Sequence, residues 1–128
     1  MDFRLSTVDL GEGLFSVAVV GEVDLSTAPE LKAALGEVIE SGAHGVLVDL
    51  SGATFIDSTT LGVLMGAVKR LRPQGGELAI SCHDPNIRKI FEITLLDRVF
   101  RIFDTAEEGV SHLRLAAGAE PPQLSSAN

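Results

Sequence analysis

The apolar residues of this chain change their spacing again and again, from strand-like to helix-like and back. That alternation restricts the fold more than any other feature. Phe3–Val8 and Leu14–Val20 are strand-like, and Asp9-Leu10-Gly11-Glu12-Gly13 between them carries two glycines suited to a turn. They read as a β-hairpin. Leu31, Ala34, Leu35, Val38 and Ile39 then recur at helical spacing. Thr27 and Glu30 have capping-box spacing, Pro29 suits the first turn, and Gly42 supplies the stop. Gly45-Val46-Leu47-Val48-Asp49-Leu50 is nearly all apolar and β-branched, as in a strand covered on both faces.

Leu61, Leu64, Met65, Val68 and Leu71 form a second helical stripe, ended by Pro73 and the Gln74-Gly75-Gly76 turn. Glu77–Ile80 reads as a short strand. Asp84-Pro85 opens a third helix that carries Ile87, Ile90 and Phe91 inward. Val99–Phe103 reads as the last strand, and Asp104 with Glu107 as the cap of a fourth helix through Val110 and Leu113. From about Ala116 onward Gly, Pro and Ser dominate, which reads as a disordered tail after a domain of residues 1–115. The expected fold class is α/β, a mixed and mainly parallel sheet with an N-terminal antiparallel hairpin and about four helices.

Several classes of function are disfavoured by composition. The chain has 128 residues, enough for one core. Its net charge is −8, from 18 acidic and 10 basic residues, which opposes phosphate backbones and suits a basic protein partner. No apolar run approaches the ~20 residues of a bilayer span. The first residues, MDFRLSTVDLGEG, lack a signal-peptide pattern, and one cysteine, Cys82, forms no internal disulfide. A cytoplasmic protein is the expectation, with no membrane or direct nucleic-acid partner.

No constellation of residues points to catalysis. His44, His83 and His112 are scattered, with no paired metal-ligand spacing, and no nucleotide-cradling glycine loop or nucleophile elbow is present. No cofactor, metal or activity of its own is expected. Asp24, Asp49 and Asp57 each fall at or just beyond the end of an expected strand, on the side where sites form in parallel sheets. A receiver-type phospho-acceptor domain would need paired acids after its first parallel strand and a lysine after its last. Here Val23 separates Glu22 from Asp24, and Phe103-Asp104 offers no lysine.

The Asp57-Ser58-Thr59-Thr60 run has a different logic. Ser58 stands where an N-cap belongs, exposed at the mouth of a helix. A phosphate added there carries roughly −1.5 to −2 charges beside a helix N-terminus that tolerates it, and repels an acidic partner packed against that surface. The chain then reads as the substrate of a kinase.

Gly21-Glu22-Val23-Asp24, Val46-Leu47-Val48-Asp49-Leu50, Phe55-Ile56-Asp57-Ser58-Thr59 with Leu61-Gly62-Val63-Leu64, and Gly75-Gly76-Glu77-Leu78 together resemble the anti-sigma-factor antagonist family, built on the STAS domain of bacteria. The resemblance covers about residues 1–115. It implies a STAS-like fold and a partner-switching cycle in transcription. In that cycle the unphosphorylated antagonist binds an anti-sigma factor with serine-kinase activity and frees a sigma factor. Phosphorylation ends the complex, and a PP2C-type phosphatase restores the hydroxyl. By the same resemblance Ser58 is the phospho-acceptor, and Glu22, Asp24, Asp57, Ser58, Thr59, Thr60 and Leu61 form the partner-binding surface. The chain departs from the family at Thr60, where glycine is usual. Threonine there adds a β-branched side chain on the first helical turn, which bears on the rate of phosphorylation, and with Thr59 it offers a second and third hydroxyl that a kinase could take. The alternative within the same fold is a non-catalytic STAS module used only for assembly.

Overall fold

Residues 2–116 are described by a computed structural model. Ala116 closes the last helix, and the rest of the expected tail lies outside the described residues. Strands β1 (Arg4–Asp9) and β2 (Leu14–Val23) form the hairpin, followed by helix α1 (Ala28–Glu40) and strand β3 (Gly45–Ile56). Helix α2 (Ser58–Leu71), strand β4 (Glu77–Ser81) and helix α3 (Pro85–Ile93) come next, then strand β5 (Arg101–Phe103) and helix α4 (Ala106–Ala116). The sheet order is β1-β2-β3-β4-β5, antiparallel between β1 and β2 and parallel elsewhere.

Alternation along β3 explains how both faces are covered. Val46 and Val48 pack with Leu31 and Leu35 of α1, Leu64 and Val68 of α2, and Ile87 and Phe91 of α3. Leu47 points the other way and packs with Leu14, Ala79 and Leu113 of α4. Three crossover helices therefore share one face of the sheet, and α4 covers part of the other.

Four local expectations are corrected. Strand β3 does not stop at Leu50 but runs on to Ile56, because Ala53 and Ile56 keep its inner face apolar while Ser51, Thr54 and Phe55 point outward. Asp49 is consequently mid-strand, and its carboxylate accepts the Ser51 hydroxyl at 2.6 Å and the Ser81 hydroxyl at 2.9 Å. Thr27 and Glu30 make no capping box: the Thr27 hydroxyl donates instead to the Glu22 carbonyl at 3.0 Å. The box before α4 is one residue later than expected, Thr105 with Glu108, while Asp104 pairs with Arg88. Strand β5 begins at Arg101 rather than Val99, after a short 3-10 turn at Leu96–Arg98. The Asp84 cap is as expected, its carboxylate accepting the Asn86 N–H at 2.8 Å.

Candidate functional site

Because β2 and β3 are parallel, their last residues, Val23 and Ile56, are paired at one edge of the sheet. The chain leaves that edge twice, into α1 and into α2. Gly21 prepares the first exit. It sits at φ 101° beside a register shift between Gly21 and Glu22, and a side chain there would run into the backbone of Asp2 and Phe3. The bulge leaves Glu22 exposed opposite Phe55.

At the second exit Asp57, not Ser58, is the N-cap of α2. Its backbone is extended (φ −129°, ψ −173°), and its carboxylate accepts the Thr59 N–H at 3.0 Å and the Thr60 N–H at 3.2 Å. A carboxylate also suits the positive end of the helix dipole. Ser58 is the first helical residue, exposed to solvent and relieved of any capping role. Thr59 is half-buried.

Thr60 turns inward. It is 0% exposed, and its hydroxyl donates to the Val23 carbonyl at 3.1 Å, bonding the start of α2 to the end of β2. The expectation that the Thr60 side chain faces a partner and offers a kinase its hydroxyl is therefore corrected. Leu61, at 8% exposed, belongs mainly to the core.

Asp24 organises the turn before α1. Its carboxylate accepts the Ser26 hydroxyl at 2.7 Å, the Ser26 N–H at 2.9 Å and the Thr27 N–H at 3.2 Å. These donors, the Ser26 hydroxyl foremost, hold its carboxyl below the ordinary aspartate range. Glu22, Asp24 and Asp57 thus all fall at the paired ends of β2 and β3, and the expected strand-end position of Asp49 does not hold. No group of three or more potential metal ligands occurs among the described residues.

Two apolar residues at this edge escaped the sequence reading. Leu25 is 76% exposed and Phe55 47% exposed. Phe55 had a signal: it adjoins Ile56 in a strand, and neighbouring side chains point to opposite faces, so one of the pair must leave the core. Leu25 lies in a turn, where no periodicity applies. Cys82 offers no second chemistry, since it is buried and burial pushes its thiol's pKa up. No helix among the described residues is long and apolar enough to cross a membrane.

Residues 8–109 match the family described as the STAS domain. Over 107 residues the chain is 31% identical to an anti-sigma-B factor antagonist of Staphylococcus epidermidis, covering 84% of this chain and 98% of that protein. This chain is a STAS domain of the anti-sigma-factor antagonist family. It is also 33% identical over 93 residues to the anti-sigma-B factor antagonist of Staphylococcus aureus (strain NCTC 8325 / PS 47), covering 73% of this chain and 86% of that protein. The crystal structure of an anti-sigma factor antagonist from Mycobacterium paratuberculosis is similar, with a TM-score of 0.81 and 27% identity, covering 88% of this chain and 95% of that one. The STAS match runs from β1 into α4, so the mouth that holds Ser58 lies well inside it.

Proposed function

We propose that this STAS domain binds an anti-sigma factor with serine-kinase activity while Ser58 carries a free hydroxyl, and that phosphorylation of Ser58 ends the complex. One observation carries the reading. Ser58 is exposed at the first position of α2, while Asp57 supplies the cap and Thr60 is buried. Ser58 Oγ attacks the γ-phosphorus of ATP held by the kinase, the bond to the β-phosphate oxygen breaks, and ADP leaves. The hydroxyl proton passes to a base on the kinase.

The product adds roughly −1.5 to −2 charges to a mouth that already holds Glu22, Asp24 and Asp57. A partner surface that matches the unmodified mouth loses that match, while the helix N-terminus tolerates the new charge. A PP2C-type phosphatase reverses the step by hydrolysing the phosphoserine to serine and inorganic phosphate. The test is binding of the cognate anti-sigma kinase, measured by calorimetry. Ser58→Ala should bind like the unmodified chain, and Ser58→Asp at least tenfold more weakly. Equal binding by Ser58→Asp would remove the switch.

A further inference from the structure

A groove of about 140 Å³ runs between α1 and α2 on the outer side of the helical layer. Its lining falls at positions 32, 35, 36 and 39 of α1 and at 63, 66, 67 and 70 of α2. Both helices therefore present the same i, i+3, i+4, i+7 row, about two turns long. A third helix lying over two such rows meets them with an apolar stripe of the same spacing.

Glycine keeps the groove open. Gly66 is in the interior of α2, where glycine is less favourable than alanine, yet a Cβ built on it meets nothing within 4 Å. The fold itself does not ask for glycine there, whereas close approach by another backbone does. Gly36, opposite, would meet only the tip of the Arg70 side chain, at 3.2 Å.

The charged lining is wholly basic on a chain of net charge −8: Lys32 stands on the α1 row and Arg70 closes the α2 row. Arg70 also reaches Glu40 at 3.4 Å, but both side chains are exposed, and such a pair exchanges readily for another carboxylate. Exposed Ser58, Gly62 and Gly66 follow one another at four-residue steps along α2, so Ser58 and the groove's Gly66 share one exposed stripe of the helix.

We infer that the α1–α2 groove receives an amphipathic helix of the same partner that docks at Ser58, with its carboxylates meeting Lys32 and Arg70. The inference rests on the reading proposed for Ser58, and the experiment separates the two. The cognate anti-sigma kinase is titrated with the unmodified chain and with Ser58→Asp, Gly66→Leu and Lys32→Glu/Arg70→Glu variants. Thermal melting checks that each is folded. Gly66→Leu should fill the groove and weaken binding at least tenfold. The double charge reversal should weaken it about as much and flatten its salt dependence.

Weak binding by Ser58→Asp with unchanged binding by both groove variants would overturn the groove and leave the switch standing. The reverse pattern would support the groove and remove the switch. No binding by the unmodified chain would overturn both. A benzoylphenylalanine placed at Gly66 should crosslink into an acid-bearing helix of the partner. Crosslinking only into a loop or a basic segment would overturn the assigned occupant.

Discussion

Helices α1 and α2 start at the same end of the sheet, each a short step after a strand that is followed at once by an aspartate, and they use their hydroxyls differently. Before α1, the Asp24 carboxylate takes the Ser26 hydroxyl, and the Thr27 hydroxyl donates to Glu22 and accepts the Asp24 N–H. Both hydroxyls are spent on the turn. Before α2, Asp57 caps the helix alone, Thr60 bonds inward to Val23, and Ser58 is left exposed with no capping role. One start engages every hydroxyl it has. The other leaves one hydroxyl in the open beside a helix already capped by its neighbour, the arrangement that the proposed modification requires.

The comparison breaks most visibly at Thr60. Thr60→Gly removes a buried hydrogen bond, a buried methyl and helix propensity together, at a total of roughly 2–4 kcal/mol. Urea denaturation should show that loss, and an unchanged midpoint would mean that the bond to Val23 contributes nothing. Asp57→Ala should cost about 1 kcal/mol, the ordinary worth of an N-cap. Ser58→Ala should change stability by less than about 0.5 kcal/mol, as an exposed residue without a structural partner does. If Ser58→Ala proved as costly as Asp57→Ala, the cap would have been assigned to the wrong residue.

The smallest effect concerns pH at the α1 start. The folded pKa of Asp24 is depressed, so its contribution to stability is present at neutral pH and is lost as pH falls through that lowered value. Ser26→Ala removes the principal donor, the hydroxyl, while keeping the backbone N–H, and should move the Asp24 titration, followed by NMR of its carboxyl carbon, part of the way up toward the ordinary aspartate range. An unmoved midpoint would show that the Ser26 hydroxyl is not the cause.

Periodicity alone made the order of elements and the mainly parallel sheet legible, because strand and helix spacings differ and the core obeys both. Asp84-Pro85 was legible too, since no other residue competes for that cap. The remaining caps were ambiguous. Asp57 and Ser58, or Asp104 and Thr105, are adjacent residues that both favour caps, and the choice between them depends on where the chain enters the helix. Thr27 was lost to a tertiary partner, the Glu22 carbonyl, that no local pattern reveals. The same is true of Thr60, whose bond to Val23 spans 37 residues. Asp49 falls mid-strand, although the continuous apolar run stops at Leu50, because β3 continues to Ile56 with only Ala53 and Ile56 buried beyond it. For Ser58 the local motif was enough to single it out; the reason it is free came only from the neighbouring Asp57.

Mass spectrometry of the chain after incubation with its cognate anti-sigma kinase and Mg-ATP tests the central claim most directly. A single phosphate on Ser58, absent from Ser58→Ala, is the predicted result. Phosphate on Thr59 or Thr60 of the unmodified chain, or undiminished phosphorylation of Ser58→Ala, would contradict the account.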